Sequence, residues 1–172
     1  AGLGKLSVSL PKDYIKELNM KLPEAIIHEP LRTIRKYDAI AIGPGMGVDK
    51  NAEKKLRDIL IQRRSIPLVL DADALNIISN NKDLLKFCKD SIITPHIGEF
   101  KRLCGEFNSD EEMLEKQLEF AVKHQLIVIL KGAHTSIVTQ KRKMFFNTTG
   151  NSGMATAGSG DILCGIILSL LA

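Results

Sequence analysis

Tryptophan is absent from this chain of 172 residues, and aromatic residues make up only 5% of it, so the core must be aliphatic. No apolar stretch approaches the roughly 18 residues that a membrane-crossing helix needs, and no membrane partner is expected. Runs of Lys and Arg are missing, as is any basic patch interleaved with aromatics, so no nucleic-acid partner is expected either. Cysteine is scarce. Cys88, Cys104 and Cys164 lie at spacings that suit neither a metal site nor a disulfide framework, and a reducing, cytoplasmic setting is expected. No secretory signal opens the chain, and it has no internal repeats, low-complexity tracts or linkers.

What is present fits a globular domain. The chain is 44% hydrophobic and 26% charged, and it is long enough to bury a sizeable core. Its formal net charge is +4 with the two signs mixed along the chain, a surplus that suits an anionic small molecule. Residues 1–172 read as a single domain. The chain opens directly on a strand pattern and stops inside an apolar helix with no glycine or proline to end it, so both ends read as cut from a longer domain.

Short apolar strands alternate with helical patterns. Strands are expected over 6–10, 38–42, 67–70, 91–94 and 126–130, and a hairpin over 135–139 and 143–147. Helices are expected over 13–22, 30–37, 49–64 and 110–124, around Leu75 and Ile78, and from Gly158 onward, the last one buried. This alternation specifies βαβ units: an α/β fold with a doubly wound, mostly parallel sheet and helices on both faces.

Ligands of such sheets bind beyond the carboxyl ends of the strands, and the unusual residues of this chain collect there. Strand 38–42 runs into Gly43-Pro44-Gly45-Met46-Gly47, strand 67–70 into Asp71 and Asp73, strand 91–94 into His96 and Glu99, and strand 126–130 into Lys131-Gly132. Each admits two readings. The glycine turn is either a tight connection or a cradle of N–H groups for a phosphate. Asp71 and Asp73 are either N-caps or site residues, and Asn76 shares that ambiguity. His96, outside any apolar face, is a ligand candidate. Glu99 is either a first-turn acid favoured by the helix dipole or a Mg²⁺ partner through water. Lys131 follows an apolar strand, where an ammonium is costly unless an anion lies nearby or the side chain snorkels to solvent.

The most informative segment is Asn151-Ser152-Gly153-Met154-Ala155-Thr156-Ala157-Gly158-Ser159-Gly160-Asp161, followed by an apolar run. The unpaired N–H groups of the helix that starts there, with its dipole, make an anion site. Asp161 is a carboxylate beside that site, placed as a general base for a hydroxyl about to meet a phosphoryl group, or else a simple N-cap.

These five ordered segments, Gly43–Gly47, Asp71–Asn76, Thr94–Phe100, Lys131–Thr135 and Asn151–Asp161, resemble those of the ADP/ATP-dependent NAD(P)H-hydrate dehydratases of the ribokinase-like superfamily, and the resemblance covers nearly the whole chain. It implies a three-layer α/β/α ribokinase-like domain. It also implies a repair reaction, in which hydrated NADH or NADPH is phosphorylated on its ring hydroxyl by ADP or ATP and then loses phosphate. By this resemblance Asp161 activates the hydroxyl. Gly45, Gly47, His96, Asn151 and Asp161 face the hydrated cofactor. Lys131, Gly132, Ala133, His134 and Thr135 lie along the adenine nucleotide, and Gly158, Ser159 and Gly160 form the anion hole for the transferring phosphoryl group. Glu99 helps hold Mg²⁺ through water, and a homo-oligomer is expected. Ser152 and Ile97 stand where the family usually has proline, which loosens two turns without removing a functional group. Members normally have another strand and a Gly-rich loop before the segment seen at residues 1–3, and continue past the last helix; both parts are expected to be lacking here. Two alternatives stand beside this reading: a kinase of a hydroxymethylpyrimidine or hydroxyethylthiazole type of alcohol, which would share residues 158–161 but stop at the phosphate ester, and a nucleotide-binding module that has lost catalysis through truncation.

Overall fold

The computed structural model describes residues 2–28 and 33–172. Its main sheet has six strands in strictly sequential order: β3 (Ile40–Ile42), β4 (Leu68–Leu70), β5 (Ile92–Ile93), β6 (Ile127–Leu130), β7 (Thr135–Val138) and β8 (Met144–Asn147). The first four are parallel, while β7 and β8 add an antiparallel hairpin at the edge. A separate two-stranded parallel sheet pairs β1 (Ser7–Ser9) with β2 (Ile26–His28), joined through α1 (Ile15–Lys21). The very short β2 carries too little pattern to be expected from sequence.

The parallel strands are linked by α2 (Lys50–Gln62), α3 (Ala72–Asn80), and α4 (Ile97–Cys104) with α5 (Asp110–His124). Strands that step in one direction with right-handed crossovers put these helices on a common face. α6 (Ser159–Leu171) returns from the hairpin and packs on β3 and β4, so β4 is buried at all three residues. The α/β fold with a mostly parallel sheet is the one expected.

Local signals account for the helix boundaries. Asp49 caps α2 by accepting from the Ala52 N–H at 2.8 Å, and Ala52, Leu56 and Leu60, four residues apart, face the core. Ser109 caps α5 at the Glu112 N–H (3.1 Å), and left-handed Gln125 ends it. Three of the eight Phe and Tyr residues cluster: Phe100 of α4 lies 5.8 Å from Phe120 of α5 and 6.2 Å from Phe107, ring centre to ring centre.

Three expectations are corrected. The described part of 30–37 is not helical; Tyr37 N–H closes a single turn on the Ile34 carbonyl (3.1 Å), which is enough to bury Ile34, and residues 30–32 lie outside the described residues. The 13–22 helix begins as a 3₁₀ turn at Lys12–Tyr14 and buries none of its residues. α6 is only partly covered: Cys164 is its one buried residue, whereas Ile162, Ile166 and Leu170 form an exposed row, because contact with β3 and β4 covers one side only. No helix among the described residues is long and apolar enough to cross a membrane, and all three cysteines are free.

A buried polar triad fixes α5 to the hairpin. The Gln117 amide, wholly inaccessible, donates to the carbonyls of Val128 (3.0 Å) and Ser136 (3.1 Å) and accepts from the Ser136 hydroxyl (2.6 Å). Removing one member leaves the others buried without partners. Gln117→Leu is expected to cost about 2–3 kcal/mol in urea unfolding, with part regained in Gln117→Leu/Ser136→Ala. A loss below about 0.5 kcal/mol would show that the orphaned groups find other partners.

Candidate active site

The parallel ladders continue one step past the strands and set the positions of the residues that follow. The Asp71 N–H donates to the Ile42 carbonyl (3.2 Å), the Thr94 N–H to Leu70 (3.1 Å) and the Lys131 N–H to Pro95 (2.8 Å). His96 and Lys131 pair in an isolated parallel bridge. Gly43, Asp71, His96 and Lys131 therefore stand in a row along the carboxyl edge of the sheet, as the strand-end pattern of the sequence implied.

The anion that Lys131 needs is Asp71. Its carboxylate, on a side chain only 2% exposed, receives the Lys131 ammonium at 2.9 Å across the intervening β5. Asp71 occupies the N-cap position of α3, yet its side chain makes no capping hydrogen bond. The sequence carries a signal for this pairing: both charges directly follow apolar parallel strands, so each needs the other.

The start of α6 closes over this pair. A Cβ on Gly160 would lie 3.4 Å from Lys131 Nζ and 3.8 Å from Asp71 Oδ2. Gly158, at φ +87°, turns the chain into the helix. The Ser159 N–H is held by the Thr156 carbonyl (3.2 Å), so of the three residues expected to form the anion hole, Ser159 has its N–H turned back onto the loop. Asp161 is exposed in the first turn. One turn on, the Cys164 thiol is pushed up to about 11, first by burial and then by the Asp71 carboxylate, so it stays protonated and inert near neutral pH.

The glycine turn sits beside this centre. A Cβ on Gly43 would fall 1.8 Å from the Asp71 carbonyl oxygen, so only glycine fits. The Gly47 N–H donates to Asp73 Oδ2 (2.9 Å), tying the turn to α3. Asp73 thus holds the turn, and Asn76 accepts from Arg102 (2.8 Å), joining α3 to α4.

His96 and Glu99 form a capping box at the start of α4. Nδ1 of His96 accepts from the N–H groups of Gly98 (3.0 Å) and Glu99 (3.3 Å), and Glu99 accepts from the His96 N–H (2.9 Å). Accepting at Nδ1 places the proton of the neutral ring on Nε2. The imidazole is 56% exposed, and its Nε2 lies 3.6 Å from the second carboxylate oxygen of Glu99, Oε1. Glu99 is buried, with one oxygen committed to the cap.

The remaining candidates are more loosely placed. Gly132, Ala133 and His134 form the exposed turn between β6 and β7, and the Thr135 hydroxyl donates to the Gly132 carbonyl (3.3 Å). A Cβ on Gly150 would lie 2.3 Å from the Ala133 carbonyl oxygen, so the segment leading to Asn151 rests on this turn. The Asn151 side chain caps its own 3₁₀ turn by accepting from the Gly153 N–H (2.8 Å). Among the described residues no three His, Cys, Asp or Glu side chains gather as a metal cage. A lone carboxylate such as Glu99 fits an ion that keeps most of its water. Two concavities of about 420 Å³ lie at the opposite, amino end of the strands, around Lys86, Lys89 and Gln125.

The buried pair makes its own prediction. Lys131→Ala leaves the Asp71 charge uncompensated and is expected to lose about 3–5 kcal/mol in chemical denaturation. Asp71→Asn/Lys131→Ala, with no charge left behind, is expected to recover most of it. Equal losses in the two variants would show that the pair does not matter to stability.

Comparison with known proteins agrees with this architecture. The sequence profile of NAD(P)H-hydrate dehydratase matches residues 1–172. The ADP-dependent (S)-NAD(P)H-hydrate dehydratase of Neisseria meningitidis is 39% identical over 99% of this chain and 60% of its own. The bifunctional NAD(P)H-hydrate repair enzyme Nnr of Moorella thermoacetica is 35% identical over 99% of this chain and 36% of its own. The chain therefore spans about a third of the length of the bifunctional relatives it matches. A ribokinase-like superfamily protein from Enterococcus faecalis superposes with a TM-score of 0.88 and 31% identity, over 99% of this chain and 62% of its own. The motif order, the row of strand-end residues and these matches agree: the chain belongs to the NAD(P)H-hydrate dehydratase family.

Proposed function

We propose that this chain dehydrates hydrated NADH or NADPH at the expense of an adenine nucleotide. One observation carries the reading: a half-buried cation held by a buried carboxylate, a helix N-terminus with Asp161 in its first turn, and a glycine turn open to a ligand all converge on one sheet edge. That is a site for bringing a phosphoryl group against a hydroxyl.

Asp161 takes the proton of the ring hydroxyl, and the freed oxygen attacks the terminal phosphorus of ADP or ATP. The P–O bond to the nucleotide breaks, and a nucleotide one phosphate shorter departs. First-turn N–H groups of α6, with Lys131, stabilise the charge on the transferring group. Phosphate then leaves with the electron pair of the ring C–O bond, a proton leaves the neighbouring ring carbon, and the ring double bond is restored. Gly45, Gly47, His96 and Asn151 line the side of the hydrated nicotinamide, with His96 Nε2–H as donor. Gly132, Ala133, His134 and Thr135 follow the adenosine part. Mg²⁺, when it accompanies the nucleotide, supplies neutralising charge at the phosphates, with Glu99 as its partner through water. The free cysteines suit a reducing, cytoplasmic setting.

Two measurements test this reading. Incubation with hydrated NADH, ADP or ATP and Mg²⁺ is expected to restore the absorbance of the reduced nicotinamide. No recovery, with phosphorylation of hydroxymethylpyrimidine or hydroxyethylthiazole instead, would assign a kinase. Asp161→Asn is expected to keep nucleotide affinity while turnover falls ~10²-fold or more; a rate within a few-fold of the parent would remove Asp161 from the mechanism.

A further inference from the structure

We propose that Asp71 is the positioning residue of the phosphate pole: its buried carboxylate holds the Lys131 ammonium beside Gly160, so that ammonium and helix N-terminus meet the same phosphate. The proposal rests on the nucleotide-dependent reading above.

Three observations point to a residue placed for this task. First, Asp71 stands where an aspartate would cap α3, and its side chain gives up that bond for Lys131. Second, the backbone around it is tightly determined. Ala72, the next residue, has φ +45°, a left-handed conformation that alanine adopts at a cost. On the other side, the Gly43 Cα lies so close to the Asp71 carbonyl that a Cβ would meet it at 1.8 Å. Strain of this kind persists where surrounding structure fixes a position, and here it adjoins the residue whose carboxylate meets Lys131. Third, the geometry leaves the ammonium two further donors. Lysine is a point charge on a flexible stem, with three N–H bonds. One goes to Asp71 at 2.9 Å, and the Cβ position of Gly160 is 3.4 Å from the same nitrogen.

The consequence is division of labour. Unpaired, the Lys131 side chain would sample many rotamers. Paired, the ammonium is held in advance for a phosphate oxygen, and Asp161 remains free to accept a proton. Asp71 touches neither substrate nor nucleotide and acts through Lys131.

Calorimetric titration of the full chain with ADP and with adenosine tests this. Asp71→Asn is expected to weaken ADP binding roughly tenfold, the scale of one charge-assisted hydrogen bond, and to leave adenosine binding unchanged. In a Lys131→Gln background the same change is expected to have no further effect on ADP. Folded Asp71→Asn protein that binds ADP like the parent would overturn the proposal, as would equal weakening of ADP and adenosine, which marks a merely structural role. Should Asp71→Asn fail to fold, Asp71→Asn/Lys131→Gln is compared with Lys131→Gln: equal ADP affinities uphold the proposal and a further loss overturns it. Absence of ADP binding by the unaltered chain would instead overturn the nucleotide reading, and this role with it.

Discussion

The ion pair between Asp71 and Lys131 is the interaction on which the rest of the site depends. It joins the ends of β4 and β6 across β5 and sets the surface onto which α6 is received. A carboxylate buried to this degree is tolerated only with a partner in contact, and the ammonium is held in turn by the carboxylate. Gly160 enters α6 directly beside it, where a Cβ would touch the Lys131 ammonium at 3.4 Å. The helix N-terminus adds its dipole beside the ammonium that the pair holds in place.

Structural and chemical roles fall on the same atoms throughout this edge. His96 caps α4 with one ring nitrogen, and the other lies 3.6 Å from Glu99 Oε1 on a half-exposed ring. Glu99 completes the cap with one carboxylate oxygen. Asp73 holds the Gly47 N–H, so the glycine turn is anchored to α3. The two readings that the sequence left open at these positions, cap or site, are therefore compatible: a capping bond fixes the side chain that a ligand would meet. Asp71 is the exception, since it occupies a cap position without capping.

Much of the fold was legible because periodicity and punctuation agree. Helix 110–124 has a serine cap, three acids in its first turn and amphipathic spacing, and it is found with those bounds. The 135–147 hairpin and the strands ending at 42, 70 and 130 follow from short apolar runs. What was not legible depended on partners distant in sequence. β2 is defined by its pairing with β1, the 3₁₀ turn at 82–87 by packing under α2 and α3, and the exposed row of α6 by how little of the sheet that helix reaches.

For the site, the chain alone determined which residues stand at the carboxyl edge: a strand's end is marked by glycine, proline or charge directly after an apolar run, and in parallel sheets those ends share one side. It determined too that a helix N-terminus rich in glycine would carry Asp161. Only the tertiary structure decided which of these residues touch. That Lys131 finds Asp71 instead of solvent, that Asp73 holds a backbone N–H and that Gln117 bridges two strands all depend on distances between segments that lie far apart in the chain. The sequence states that a buried charge needs a partner; strand order and register choose which one it meets.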